Sequence, residues 1–197
     1  MNAAVSIAAW SASGPGFTPG AEFVPPMMRR RLSPLQKIFF SLARAVGADA
    51  GGDTVVFASR DGEDTLTRRL VADFHADGSV SPHRFSASVY NAAPGLWSVF
   101  TGNRSAYTAT AAGEDSIECG LIEALTSPQP SVFVYAEETG GGYGAAARFA
   151  GAPGARRVEV SAASAGGAPL GFAAWAAFLA GETREVSGRW LRLRGVT

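Results

Sequence analysis

Residues 105–125, SAYTATAAGEDSIECGLIEAL, decide the fold. The run that ends at Thr110 is typical of a strand, and the alanines and glycine that follow are typical of a tight corner. Beyond the corner, apolar side chains recur at helical spacing, at Ile117, Leu121, Ile122 and Leu125. Small residues let backbones approach closely, and the corner residue lies at a helix N-terminus, which favours negative charge. The segment therefore predicts nucleophile-elbow geometry, with Thr110 at the corner.

Strand and helix patterns alternate on both sides of this corner. Apolar, β-branched and aromatic runs predict strands at residues 4–10, 54–59, 106–110, 131–136 and 157–162, and an alternating edge strand at 185–194. Apolar residues at helical spacing predict helices at residues 34–46, 66–74 and 172–179, and a loop leading into a short helix at 81–103. Ser33 can cap the first of these helices and Gly47 can end it. The alternation predicts an α/β fold, and the length favours a single domain over residues 1–197.

The charge and cysteine content exclude several classes of partner. Seventeen basic and seventeen acidic residues give no net charge, so we expect neither nucleic acid nor an anionic membrane surface as a partner. The one cysteine, Cys119, cannot form an intrachain disulfide, which fits a reducing compartment. No Lys or Arg precedes the apolar N-terminal run, and the apolar stretch 168–180 is shorter than a membrane span of about 20 residues. We therefore expect a cytoplasmic protein without a membrane span.

The corner resembles the nucleophile elbow of thiolase-like condensing enzymes, which reads roughly Thr-Ala-Cys-Ala-Ser-Gly-x-x-Ala-Ile. The residues in register are Thr108, Ala109, Thr110, Ala111, Ala112, Gly113, Ser116 and Ile117. Ser81-Pro82, the Asn-Ala-Ala-Pro-Gly element at 91–95 and the strand with its glycine loop at 54–62 are similar to elements upstream of that elbow. The ordered set resembles the β-ketoacyl synthase N-terminal-like or chain-length-factor family of aryl-polyene and related type II clusters, over residues 55–125.

The resemblance implies a catalytically silent relative of a β-ketoacyl synthase. It implies a thiolase-like N-terminal half, with a mixed five-stranded sheet layered with helices and no cofactor or metal. Thr110 stands where the nucleophilic cysteine would be, and the half that brings two catalytic histidines would lie beyond this sequence. Claisen condensation needs a thiolate and basic groups, so we expect no catalytic residue. The expected role is a chain-length-factor-like subunit that forms a heterodimer with a β-ketoacyl synthase, itself served by acyl carrier protein, in polyene- or fatty-acid-type biosynthesis.

The same resemblance implies an interface beside the corner. In condensing enzymes the central strand before the elbow and the nearby helix meet their counterparts across a two-fold or pseudo-two-fold axis. Bulky residues there would wall the partner's acyl tunnel and limit product length. The candidates for this tunnel and interface are Phe85, Val89, Tyr90, Asn91, Leu96, Trp97 and Phe100. Ordinary core packing is the alternative for each of them.

Two other functions stay open. The chain could be a stand-alone acyltransferase or thioester hydrolase that uses Thr110 or Ser116 with His83. It could also be a homodimeric module that binds acyl chains. Histidines and cysteine lack the spacing of zinc ligands.

Three remaining features have simpler structural interpretations. Cys119 is expected to pack in the core or at an interface. The glycine-rich segment 140–144 is expected to be a flexible turn after a strand rather than an oxyanion or phosphate loop, because it lacks the residues of a P-loop. The three arginines at 29–31 are expected to be solvated rather than to grip an acidic carrier protein.

Overall fold

The computed structural model describes residues 2–48, 51–128, 130–164 and 166–196. Its strands are β1 (Asn2–Ser13), β2 (Thr54–Ala58), β3 (Tyr107–Thr110), β4 (Ser131–Glu137), β5 (Tyr143–Phe149), β6 (Arg156–Ala162), β7 (Glu185–Ser187) and β8 (Leu191–Gly195). Its helices are α1 (Pro26–Arg29), α2 (Pro34–Ala45), α3 (Asp64–Asp77), α4 (Pro82–Ala87), α5 (Ala92–Thr101), α6 (Ser116–Thr126) and α7 (Phe172–Ala180). The predicted α/β class is confirmed.

All eight strands belong to one sheet in the order β3-β2-β4-β5-β1-β6-β8-β7. Strand β2 runs parallel to both β3 and β4, and every other neighbouring pair is antiparallel. The sheet is therefore mixed, as predicted. The prediction of five strands is wrong, since the described residues contain eight.

Helices cover the sheet on two faces because β2 and β4 are apolar at successive positions. Val55 and Phe57 pack with α2 and α5 in one cluster, which includes Phe39 and Trp97. Val56 belongs to the opposite cluster, with the apolar residues of α6 and α7. A strand buried on both faces has no polar side to alternate with, which explains the continuous apolar runs in the sequence.

Strand β5 is the main element that the sequence patterns miss. Its sequence, YGAAARF, is rich in alanine and glycine, which are weak strand formers. Position overrides that preference, because β5 pairs with β4 on one side and β1 on the other. The expected flexible turn at 140–144 is therefore shorter than predicted: Gly140, Gly141 and Gly142 turn with positive φ, whereas Gly144 lies within β5.

Two further segments differ from the sequence predictions. Residues 185–194 form the hairpin of β7 and β8 rather than one edge strand. The segment 81–103 contains two helices, α4 and α5, rather than one short helix. Of the expected apolar face of α3, only Leu70 is buried, so this helix lies largely on the surface.

The strand before the corner lies at the edge of the sheet, which corrects the expectation of a central strand. Strand β3 pairs with β2 alone, and its four residues are half-buried or exposed. Its outer edge therefore carries main-chain groups that no strand of the described residues pairs with. Within the ranges that the structure describes, no helix is long and apolar enough to cross a membrane.

Candidate functional site

The corner after β3 has the predicted strand, turn and helix. Thr110 ends β3, Gly113 turns with a φ of 58°, and one turn of 3₁₀ helix leads into α6. Ser116 stabilises this turn. Its hydroxyl accepts a hydrogen bond from Ala112 N at 3.0 Å and donates one to Gly113 O at 2.7 Å. The Ser116 side chain is buried. Its hydroxyl is therefore part of the turn and is not free to attack a substrate.

In the part of the chain that the structure describes, no hydrogen bond links the Thr110 side chain to a basic group. The Thr110 carbonyl accepts a hydrogen bond from Ser59 N at 3.3 Å, which joins the end of β3 to the end of β2. His83 lies on α4, and among the described residues no hydrogen bond joins it to Thr110 or Ser116. A threonine hydroxyl without a positioned base is a poor nucleophile.

A buried acid at the end of β4 holds the loop next to the corner. Glu137 accepts a hydrogen bond from Ser59 Oγ at 3.0 Å and others from the backbone N–H groups of Arg60 and Asp61. Burial raises the pKa of Glu137, and these hydrogen bonds act in the opposite direction. Ser59 Oγ in turn accepts from Gly62 N at 2.8 Å. The network makes the 59–62 loop a fixed neighbour of the corner.

A second buried acid joins three helices. Glu63, the residue before α3, accepts hydrogen bonds from Ser33 Oγ and Gln36 Nε2, both at 2.9 Å. Gln36 Nε2 also donates to Ala87 O at 3.1 Å, so α2, α3 and α4 meet at one amide group. Burial raises the pKa of Glu63 to about 7, and the charge of Glu138 adds to this rise.

An open apolar groove of about 630 Å³, here called the edge groove, lies beside β3. It runs between the α1 segment, α4, α5 and the first residue of β3. Its lining residues are Met27, Met28, Arg31, Leu32, His83, Ser86, Ala87, Val89, Asn91, Ala92, Gly95, Leu96, Val99 and Tyr107. The volume is within the range of sites that hold drug-sized apolar ligands.

The structure divides the residues predicted for the tunnel and interface into two groups. Val89, Asn91 and Leu96 line the edge groove, and Phe85 is exposed on α4. Trp97 and Phe100 instead pack against aromatic rings of the core.

Tyr90 has a different position from either group. Its ring lies against Gly62, and its hydroxyl donates to Arg60 O at 3.1 Å, which places it over the loop held by Glu137. Of the lining residues, sequence patterns assigned only Val89, Asn91 and Leu96 to this site; among those that they missed are Met27, Met28, Val99 and Tyr107. Val99 is 78% exposed. The one feature of the sequence that could have placed Val99 in the groove is its spacing of three residues from Leu96, which puts both side chains on the same side of a helix.

Cys119 lies on α6, and its thiol is partly buried. Burial raises the pKa of this thiol, and the nearby Asp115 and Glu118 raise it further. The thiol is therefore kept in its unreactive, protonated form, in agreement with a packing role. In the part of the chain that the structure describes, no group of three or more His, Cys, Asp or Glu side chains is placed to hold a metal ion.

Comparisons with known proteins place the chain in a family. A family model described as "Beta-ketoacyl synthase, N-terminal domain" matches residues 7–139, and a comparison with curated protein sequences finds no match. A chain of a solved complex of the ketosynthase ApeO with its chain length factor ApeC, from Xenorhabdus doucetiae, has a TM-score of 0.77 at 20% identity, over 99% of this chain and 100% of that chain. A chain of the ishigamide ketosynthase/chain length factor has a TM-score of 0.55 at 16% identity, over 75% of this chain and 54% of that chain.

These structural similarities show a shared thiolase-like fold, and the family model spans more than half of the chain. The chain belongs to the family of β-ketoacyl synthase N-terminal domains.

Proposed function

We propose that this chain is a non-catalytic, chain-length-factor-like subunit that pairs with a β-ketoacyl synthase and shapes its acyl tunnel. The observation that carries the proposal is the outer edge of strand β3, which no strand of the described residues pairs with, together with the open edge groove beside it. The pathway would be of the polyene or fatty-acid type, and acyl carrier protein would serve the ketosynthase of the pair.

The corner supports a non-catalytic role. Condensation needs a thiolate to carry the acyl chain and basic groups to assist decarboxylation. Thr110 offers a hydroxyl in place of the thiolate, and the hydroxyl of Ser116 is committed to the turn. The reaction would therefore take place on the partner subunit.

The sheet edge supports a partner subunit. The free edge of a strand is a template for pairing with another chain, and the half-buried or exposed residues of β3 fit such an edge position. Exposed apolar side chains border this edge, including Val99, Val89 and Tyr107. Burying such side chains against a second subunit is the main favourable contribution to most protein associations. Both solved relatives come from ketosynthase and chain length factor assemblies, which agrees with a partner of this kind.

The groove supports a role in setting product length. Its lining includes Tyr107, the first residue of β3, so a partner lying against that strand would lie beside the groove and could close it into a tunnel. Gly95 and Tyr107 meet within it: a Cβ atom at Gly95 would lie 3.3 Å from the Tyr107 hydroxyl oxygen. The tyrosine ring therefore occupies space that a longer acyl chain would need.

Co-expression with a ketosynthase encoded by a neighbouring gene tests the pairing. The test variant is Val99→Glu, and the matched control is Val71→Glu on α3, where the side chain is also exposed but lies outside the groove. A carboxylate buried at the interface without a partner weakens association, so we expect Val99→Glu to reduce co-elution at least about tenfold. Val71→Glu should co-elute as the unchanged chain does. A chain that stays monomeric beside the ketosynthase, or a Val99→Glu chain that co-elutes fully, contradicts the proposal.

A further inference from the structure

The short connection between α4 and α5 forms one wall of the edge groove, and its side chains have contacts on two sides. Val89 and Asn91 line the groove. The side chain between them, Tyr90, instead contacts Gly62 and the carbonyl of Arg60. One side of the connection therefore bounds the groove, and the other side lies on the 59–62 loop.

Two contacts hold the Tyr90 side chain on this loop. Its hydroxyl donates a hydrogen bond to Arg60 O at 3.1 Å. Its ring occupies the space that a side chain at residue 62 would need, because a Cβ atom at Gly62 would lie 2.9 Å from the ring carbon Cζ. Gly62 also has a φ of 62°, which favours glycine. The loop therefore has a place for the Tyr90 ring because residue 62 carries no side chain.

The loop under Tyr90 is itself held by the buried acid Glu137. The carboxylate accepts hydrogen bonds from Ser59 Oγ at 3.0 Å and from Asp61 N at 3.3 Å. Ser59 Oγ accepts from Gly62 N at 2.8 Å, and Ser59 N donates to Thr110 O at 3.3 Å. A continuous set of contacts therefore leads from the corner through this loop to the groove wall.

The connection has one other anchor outside its own segment among the hydrogen bonds of the described residues. Gln36 Nε2 on α2 donates to Ala87 O at 3.1 Å, which holds the start of the connection. The backbone hydrogen bonds from Ser88 N and Ala92 N close local turns within residues 85–92. Local turns fix the shape of a segment but not its position against the sheet. The position of the middle of the connection therefore depends on Tyr90.

We propose that Tyr90 is a positioning residue of the edge groove, which fixes how far Val89 and Asn91 reach into the groove and thereby which acyl chains fit. That the groove holds acyl chains rests on the proposed function. A binding site selects by size only if the residues behind its walls hold those walls in place. The opposite wall includes Met27 and Met28, whose side chains adapt easily, so the wall held by Tyr90 is the better candidate for a fixed limit.

Hydrogen exchange of the full chain, followed by NMR, tests the anchor. Tyr90→Leu removes the ring and the hydroxyl, so the amides of Ser88 and Ala92 should exchange at least about fivefold faster after correction for intrinsic rates. Tyr90→Phe keeps the ring against Gly62 and should give a smaller increase. Phe74→Leu is the matched control, because Phe74 is an exposed aromatic residue on α3 outside the groove. Unchanged exchange in Tyr90→Leu overturns the proposal.

The products of the ketosynthase complex test the consequence for the groove. Tyr90→Leu should broaden the length distribution of carrier-bound products toward longer chains, because a released wall yields to them. Total product formation should change by less than about twofold, since the reaction takes place on the partner. A residue that only stabilised the fold would lower the amount of product without changing its length. Phe74→Leu should leave both quantities unchanged.

The same products separate this proposal from the proposed function. If Tyr107→Ala shifts the product lengths and Tyr90→Leu does not, the positioning role is overturned and the proposed function stands. If neither variant shifts them in intact complexes, the proposed function fails, and the positioning role fails with it.

Discussion

At the scale of single residues, chemistry at the corner depends on what surrounds Thr110. A nucleophile at a helix N-terminus is useful only if it ionises readily or has a base beside it. The hydroxyl of Thr110 does not ionise near neutral pH, and His83 lies on a different element. The serine in the turn after Thr110 is committed to backbone hydrogen bonds. The corner therefore has the strand, turn and helix of an elbow, with a threonine hydroxyl where the strand ends.

Thr110→Ala tests this interpretation. The variant removes the hydroxyl and keeps the small corner, so the condensing rate of the complex should change by less than about twofold. The rate of carrier-bound product formation by the purified complex is the measurement. Replacing the ketosynthase's own nucleophile is the control and should abolish product. Loss of thioester hydrolysis or condensation in Thr110→Ala alone would instead support the enzyme alternative.

The residues that join distant segments were not predictable from local sequence. Thr110 was identified because its neighbours form a motif of adjacent residues. Glu63 and Glu137 carry no such motif, since their partners Ser33, Gln36 and Ser59 lie far away along the chain. A buried acid is recognised only when the fold has removed its water and supplied its donors.

At the scale of elements, α5 shows why the predicted interface set was divided. Leu96 and Val99 face the edge groove, whereas Trp97 and Phe100 face the aromatic core around Phe40. All four side chains are apolar, so composition alone does not show which side of α5 faces the solvent. Helical spacing groups them in pairs, but which pair is buried depends on the position of α2.

The strands also show that local sequence patterns predict only part of the fold. Strands β2 and β4 were predictable because β-branched and aromatic residues fill them. Strand β5 was not, because its place between β4 and β1 determines its conformation more than its alanines do. The count of five strands came from the family resemblance and not from these patterns, and the edge position of β3 is likewise a property of the whole sheet.

One buried acid on α6 binds the hairpin of β7 and β8 through hydrogen bonds. Glu118 accepts hydrogen bonds from the backbone N–H groups of Arg189, Trp190 and Leu191 at 2.8 to 3.0 Å, and from Leu170 N at 3.3 Å. A Cβ atom at Gly188 would overlap the carboxyl group of Glu118. The hairpin therefore tolerates only glycine at this position.

Gly188→Ala should accordingly lower the free energy of unfolding by about 1–3 kcal/mol, because the methyl group displaces a carboxylate that satisfies several N–H groups. Urea unfolding at constant pH measures this change. Gly151→Ala is the control, since a Cβ atom there meets nothing within 4 Å. Equal stability of the two variants would show that the Glu118 contact contributes little.

At the scale of the whole molecule, the two ends of the sheet differ in how they are covered. The strands β6, β8 and β7 extend one end, where α7 covers them with Trp175 and Phe178. The other end stops at β3 with an unpaired edge and an open groove. This asymmetry is the reason that we propose pairing at the β3 end of the sheet. The prediction of a single domain over residues 1–197 stays a prediction.

The length distribution of carrier-bound products made by the ketosynthase complex tests the central claim most directly. Tyr107→Ala empties part of the edge groove and should lengthen the products by at least one two-carbon unit, whereas Leu96→Phe fills the groove and should shorten them. Mass spectrometry of the products, with co-elution confirming that each complex is intact, gives the result. Opposite shifts in the two variants are what this account predicts. An unchanged distribution in both intact complexes would contradict it.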